Sequence, residues 1–240
     1  MKLDLLAVGV HPDDIEISAA GTICKHVSLG KRVGMLDLTK GERGSRGSAE
    51  LRLKEANEAA KILGVMVRDN LGMDDCFFTN DKQHITAIIE KLRRYQPQIV
   101  ICNAVHDRHP DHGRSAKLVT DACFYSGLAK IETSDNGKLQ EPWRPSAVYH
   151  YIQDYYTKPD FVVDITDFME QRMKAIAAFS SQFYDPKSDY RGPITPISTP
   201  EFMEVLRSRP AEYGRNINVK YAEAFTVERT PGVNSLFDLL

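Results

Sequence analysis

The sequence predicts an α/β fold: a Rossmann-like, mostly parallel sheet with helices on both faces, in a single domain. Three observations carry this. Short apolar runs alternate with helix-period segments through the first half of the chain. The run Ile99-Val100-Ile101-Cys102 has no polar alternation, as in a strand buried on both faces. Hydrophobic residues fill 42% of the 240 positions, enough to build the core that such a sheet needs.

Taken in order, Leu3 to Val10 reads as the first strand. Ile15 to Leu29 has helical spacing and stops at Gly30, and Arg32 to Leu38 is the next strand. A helix follows from Ala49 to Leu63, ending at Gly64, then a strand at Val65 to Asn70 and a helix from Lys82 to Tyr95 that stops before Pro97. Gln98 to Asn103 is the buried strand, followed by a helix from about Gly113 to Tyr125. The second half is less regular, with strands expected at Ala147 to Ile152 and Phe161 to Asp164 and a helix from Asp167 to Phe183. Tyr184 to Pro200, rich in proline, reads as a surface loop. A helix at Glu201 to Arg209 and a strand at Ala222 to Val227 close the chain. The Rossmann-like core is expected over about 1–165, with a C-terminal cap and substrate-side segment over about 166–240.

Thirty-one Lys and Arg against 33 Asp and Glu leave a formal net charge of -2, so no basic field invites nucleic acid, and a small-molecule partner suits the balance better. The N-terminus enters a strand pattern without the segments of a signal peptide, and no apolar run approaches the ~20 residues of a membrane span. A cytoplasmic protein is therefore expected. Cys24, Cys76, Cys102 and Cys123 lack a Cys-x-x-Cys pair, which points to reduced thiols rather than to a disulfide framework or thiolate zinc site.

The chemistry lies in two turns. His11-Pro12-Asp13-Asp14 follows the first strand, and His109-Pro110-Asp111-His112 follows the strand ending near Asn103. Ligands of such sheets gather outside the strands' carboxyl ends. An aspartate at a helix start usually caps the helix, and a lone loop histidine is usually solvated. Two turns rich in ligand-type side chains at one sheet edge are harder to explain that way. His11 and Asp14, three apart, converge on one ion, and His112 completes a set of two imidazoles and a carboxylate suited to zinc or iron(II). Asp13 then faces the open side as the base, His109 is placed to donate a proton, and Asp111 to orient an imidazole. His106 and Asp107 read as loop polar groups, and His26, His84 and His150 as structural. A nucleotide-binding module would need a glycine-rich loop after the first strand, where two acidic groups stand instead.

With these residues the chain resembles the PIG-L or LmbE-like zinc-dependent N-acetylglucosamine deacetylases, over nearly its whole length. Thr39-Lys40-Gly41-Glu42, Arg52, Glu55-Ala56 and Leu63-Gly64 extend the resemblance. It implies His11, Asp14 and His112 as metal ligands, Asp13 as base, His109 as its assistant, and an acetylated amino sugar as substrate. Within the family, the second turn, Ser181-Gln182-Phe183 and Tyr221-Ala222-Glu223-Ala224-Phe225 look most like the deacetylases of bacillithiol biosynthesis, which act on N-acetylglucosaminyl malate. The malate carboxylates call for arginine, and Arg52 and Arg108 are the candidates. Phe202 stands where close relatives place a tyrosine. A related amidase of thiol conjugates is the alternative, and the apolar tail from Leu236 to Leu240 is a candidate either for contact between subunits or for covering the chain's own core.

Overall fold

Leu5 and Ala7 face one side of the sheet and Leu6 and Val8 the other, and all four are buried. A strand apolar at every position is one covered on both faces. The structure, a computed structural model, describes residues 1–186 and 192–239. Its elements in chain order are β1 (Leu5–Gly9), α1 (Asp14–Ser28), β2 (Val33–Thr39), α2 (Ala49–Leu63), β3 (Val67–Met73), α3 (Lys82–Tyr95), β4 (Ile99–Cys102) and α4 (Pro110–Tyr125). A small ribbon follows, β5 (Ser134–Asp135) with β6 (Lys138–Leu139), then β7 (Ala147–Tyr151), β8 (Phe161–Asp164), α5 (Met169–Ala177), α6 (Pro200–Arg215) and β9 (Ala222–Val227).

The main sheet runs β3-β2-β1-β4-β7-β9-β8. The first five strands in that order are parallel, and β9 runs antiparallel to both β7 and β8. Helices α1, α2 and α5 pack on one face around Ile15, Ile23, Leu63 and Ile176, and α3 and α4 on the other around Ile88, Leu92, Leu118 and Val119. The predicted α/β architecture is the observed one. Among the described residues, no helix is long and apolar enough to cross a membrane, and all four cysteines are free thiols.

Several boundaries differ from the sequence expectation. α4 starts at Pro110 rather than Gly113 because proline suits the first helical position and the His109 side chain caps the helix by accepting from the Asp111 N–H. α5 stops at Ala177, not Phe183, since the Ser181 N–H and hydroxyl turn to the Glu55 carboxylate at 2.8 and 2.7 Å. The loop expected over 184–200 includes residues 187–191, which lie outside the described residues, as does Leu240 of the tail. Leu236 and Phe237 are 81% exposed, so they do not cover the core.

α6 continues through Pro210 to Arg215. Proline orphans the carbonyl four residues back. Here that carbonyl, of Leu206, accepts from Arg172 Nη1 at 2.8 Å. The same arginine donates to the Ile17 carbonyl at 2.6 Å and pairs with Glu223 at 3.0 Å. Glu223 in turn accepts from the Gly21 and Thr22 N–H groups at 2.9 and 2.7 Å. A buried ion pair is thus inserted into the α1 hydrogen-bond ladder, and it pins the C-terminal elements to the helix that begins at the site.

A second buried cluster lies between α1 and the sheet. Arg68 binds Asp37 with both arms of its fork and also meets Glu16. One guanidinium neutralises one of two carboxylates, and burial raises Glu16 to about 7. That is above its 4.5 in the unfolded chain, so the folded state binds the extra proton. Its stabilisation is full below pH 4.5 and is lost as pH climbs through about 7. Glu16→Gln is expected to flatten this slope in thermal melts taken from pH 5 to 8; an unchanged slope would assign it to other groups.

Candidate metal centre

Parallel strands end at one edge, and the strand order reverses between β1 and β4, where a crevice opens. The loop after β1 brings His11 to Asp14, and the segment after β4 brings Asn103 to His112. Beyond β3 and β7 stand Asp75 and Gln153.

Asp13 occupies the N-cap position of α1 with φ 131°, yet its side chain makes no capping bond. A non-glycine residue in that region is strained, and the strain aims the carboxylate away from the helix. It meets Arg52 instead, at 3.1 Å. The turn is closed by Asp14, whose Oδ2 accepts from the His11 N–H at 2.9 Å. That sets His11 Nδ1 3.7 Å from Asp14 Oδ2. Asn103 Nδ2 at 3.0 Å and Gln153 Nε2 at 2.6 Å donate to the same carboxylate and fix its plane.

His112 lies in the first turn of α4, with Nε2 3.2 Å from Asp14 Oδ1. Its Nδ1 is 2.5 Å from Asp107 Oδ2, a partner that holds the proton on Nδ1 and leaves Nε2 facing Asp14. His11 is supported likewise, its Nε2 3.0 Å from Asp75 and 3.6 Å from Asp111. Asp107 is therefore no loop polar group: its carboxylate is buried and orients an imidazole, the part expected of Asp111. His109 sits over both rings, its centroid 4.8 Å from that of His11 and 5.3 Å from that of His112. Its Nδ1 accepts from the Asp111 N–H, so the neutral ring carries its proton on Nε2.

The charges follow from this packing. Burial raises Asp13 to about 6 against the opposing pull of Arg52. Burial also opposes ionisation of Asp14, but the charge of His112 prevails and holds it well below the carboxylate range. Burial disfavours the charged His11 and His112, yet Asp111 and Asp75 raise the first to about 10 and Asp14 with Asp107 the second to about 9. His109 is held below its ordinary value by burial and by the charges of His11 and His112.

The donor chemistry fits a divalent cation. Ligand atoms of His11, His109 and His112 lie within 4.8 Å of one another, as do those of His11, Asp75 and Asp111, and both groups could hold an ion. Asp13, Asp14, Asp75 and Asp111 are all buried here, with Arg52 the buried guanidinium beside them. Excess carboxylate among imidazoles is the setting that divalent zinc or iron favours.

The arginines separate. Arg52 is buried, with Nη2 donating to Asp13 and, at 2.5 Å, to Gln182 Oε1. Arg108 stands at the rim, its side chain 41% exposed, donating to Asp154 at 2.8 Å. Phe202 lines the cavity and stacks on Phe183. Gly41, at φ +63°, explains the Thr-Lys-Gly-Glu loop: a Cβ there would lie 1.9 Å from Arg52 Nη1. Gly41→Ala is expected to cost about 1 kcal/mol for its backbone and to push Arg52 off Asp13. The measurement is metal content beside turnover: metal retained with turnover about tenfold lower. Unchanged turnover would disconnect Gly41 from Asp13.

Asp75, Asn103 and Gln153 had escaped the motif reading, although each stands just past the carboxyl end of a parallel strand. That position is the signal that could have found them.

A doubly covered α/β sheet with a histidine and carboxylate cluster at its switch point defines a protein with a candidate catalytic metal centre. The chain belongs to the PIG-L family, GlcNAc-PI de-N-acetylase, whose model matches residues 6–123. It is 29% identical over 239 residues to the diacetylchitobiose deacetylase of Thermococcus kodakarensis, covering 95% of this chain and 84% of that one. To the mycothiol S-conjugate amidase of Streptomyces coelicolor it is 31% identical over 182 residues, 62% of this chain and 60% of that one. Among solved structures, a conserved protein of Thermus thermophilus superposes with a TM-score of 0.85 at 33% identity, over 98% of both chains.

Proposed function

We propose that the chain is a metal-dependent N-deacetylase of glucosamine-containing amides, at work in the cytoplasm. The observation that carries this reading is the convergence of His11, Asp14 and His112, with Asp13 beside them and released from helix capping. His11, Asp14 and His112 would hold the ion, zinc or iron(II). Such an ion polarises an acyl carbonyl and brings the pKa of water to near ~7.

The protein's own groups do the rest. Asp13 takes the proton of the attacking water, and Arg52 keeps that carboxylate oriented and favours its ionised form. His109, neutral and with its proton on Nε2, donates to the developing oxyanion or to the departing amine. Asp107, Asp75 and Asp111 hold the imidazoles in register, and Asn103 and Gln153 do the same for Asp14. Arg108 at the rim is the group that meets an anionic aglycone, and with it N-acetylglucosaminyl malate is the substrate we favour.

A second reading is supported by the identity to the mycothiol S-conjugate amidase: cleavage of the amide in a thiol conjugate of an amino sugar. Acetate release from N-acetylglucosaminyl malate, diacetylchitobiose and N-acetylglucosamine, set beside cleavage of a bimane conjugate of the thiol, separates the two. The expected order places the malate first, with Arg108→Ala raising its KM at unchanged kcat. Preference for the bimane conjugate would make the amidase the true activity.

A further inference from the structure

The crevice does not end at the metal-ligand cluster. It continues inward past Asp13 and Asp14 along α1, between Ile17, Ser18, Ile152, Leu206, Tyr213 and Ala224. The whole cavity, from Arg108 at the rim to Ala224, has a volume of about 100 Å³, several times the ~10–15 Å³ needed for one water. The walls are mostly apolar, and Ser18, Leu206, Tyr213 and Ala224 are no more than 5% exposed. Arg172 and Glu223 at the back are committed to backbone groups and to each other. The hydroxyls of Ser18 and Tyr213 are different: both are buried and find no hydrogen-bond partner among the described residues. Buried hydroxyls are costly to leave unpaired, which marks this inner end as built for a ligand atom.

Orientation follows from the geometry and rests on the deacylase reading above. An amide presented to Asp13 has its acyl group on one side of the carbonyl and its amino sugar on the other. The sugar is polar and bulky and must lie toward the rim, where Arg108 is exposed. The acyl group then points inward. An acetyl methyl reaches neither the Ser18 nor the Tyr213 hydroxyl by hydrogen bonding and leaves the apolar inner end unfilled.

We propose that the chain also hydrolyses N-acyl amino sugars whose acyl group is longer than acetyl, butyryl to hexanoyl in length, and carries a hydroxyl that pairs with Ser18 or Tyr213. The water oxygen bonds to the acyl carbon, the carbon–nitrogen bond breaks, and the nitrogen takes a proton. A hydroxy acid and a free amine result.

The test is kcat/KM for amine release from N-acetyl-, N-butyryl-, N-hexanoyl- and N-(3-hydroxybutyryl)glucosamine, with the zinc-loaded protein. Butyryl and hexanoyl are expected to equal or exceed acetyl, and hydroxybutyryl to exceed butyryl about fivefold, the worth of one net hydrogen bond. Tyr213→Phe and Ser18→Ala together bring that last ratio toward one. Ala224→Leu, which adds bulk to the apolar cluster that Ala224 shares with Tyr213 and Ile152 and removes neither hydroxyl, lowers hexanoyl relative to acetyl. Acetate release with butyryl below a tenth of acetyl would overturn this inference alone. A hydroxybutyryl ratio unmoved by the double variant would overturn the role of the hydroxyls. Release from no substrate would overturn the deacylase reading and this one with it.

Discussion

Asp13→Asn lowers kcat by about 10²–10⁴ while fold and metal content stay as in the parent protein. The variant keeps an oxygen for Arg52 to bind and removes only the basicity, so a structural role predicts little change and a proton-accepting role predicts collapse. Its strained backbone supports the second: φ 131° is retained at a position where the side chain does no capping. Asp13→Ala is the harsher change, because it also leaves the buried Arg52 without its carboxylate. The pH profile separates them further. Burial holds Asp13 at about 6 against the pull of Arg52, and a bound cation lowers it from there. The base is ionised above that value, so kcat/KM in the parent protein rises tenfold per pH unit on an acid limb at or below pH 6 and then levels. Asp13→Asn loses the limb. A variant within threefold of the parent at every pH would remove Asp13 from the chemistry.

His112→Ala is expected to abolish stoichiometric zinc binding and all turnover with it, since a site of three protein ligands does not survive on two. Asp107→Ala offers the graded companion. It removes the acceptor that keeps the His112 proton on Nδ1, and loss of such a partner costs about 10–100-fold in metal affinity or activity. The two variants are read by metal titration followed calorimetrically at fixed pH. Full zinc affinity in His112→Ala would remove that residue from the ligand set, and an Asp107→Ala affinity equal to the parent's would leave the carboxylate a purely structural role.

The parallel sheet, its helices and the edge that carries the site were legible because they depend on periodicity and on punctuation by glycine and proline. Helix α2 is an example: the sequence placed it from Ala49 to Leu63 with Gly64 as its stop, and Gly64 is left-handed at φ 73°. The two His-Pro-Asp turns could be read for the same reason, being local patterns at strand ends. What escaped was long-range. Asp75 reaches His11 across 64 positions and Gln153 reaches Asp14 across 139, and no window of sequence holds such pairs. Arg52 was readable as an arginine near the site, but its commitment to Asp13 and Gln182 depends on the packing of α2 against the loop of Gly41. The persistence of α6 through Pro210 also needed the structure, since an arginine from another helix satisfies the carbonyl that proline orphans.

Metal dependence is decided by a single titration, in which acetate release by chelator-stripped protein is followed as zinc is returned in sub-stoichiometric steps, with N-acetylglucosaminyl malate or diacetylchitobiose as substrate. No release is expected from the stripped protein, followed by a linear rise with added zinc and a plateau at one equivalent per chain. Undiminished release from the stripped protein, or none from either substrate at any loading, would contradict it.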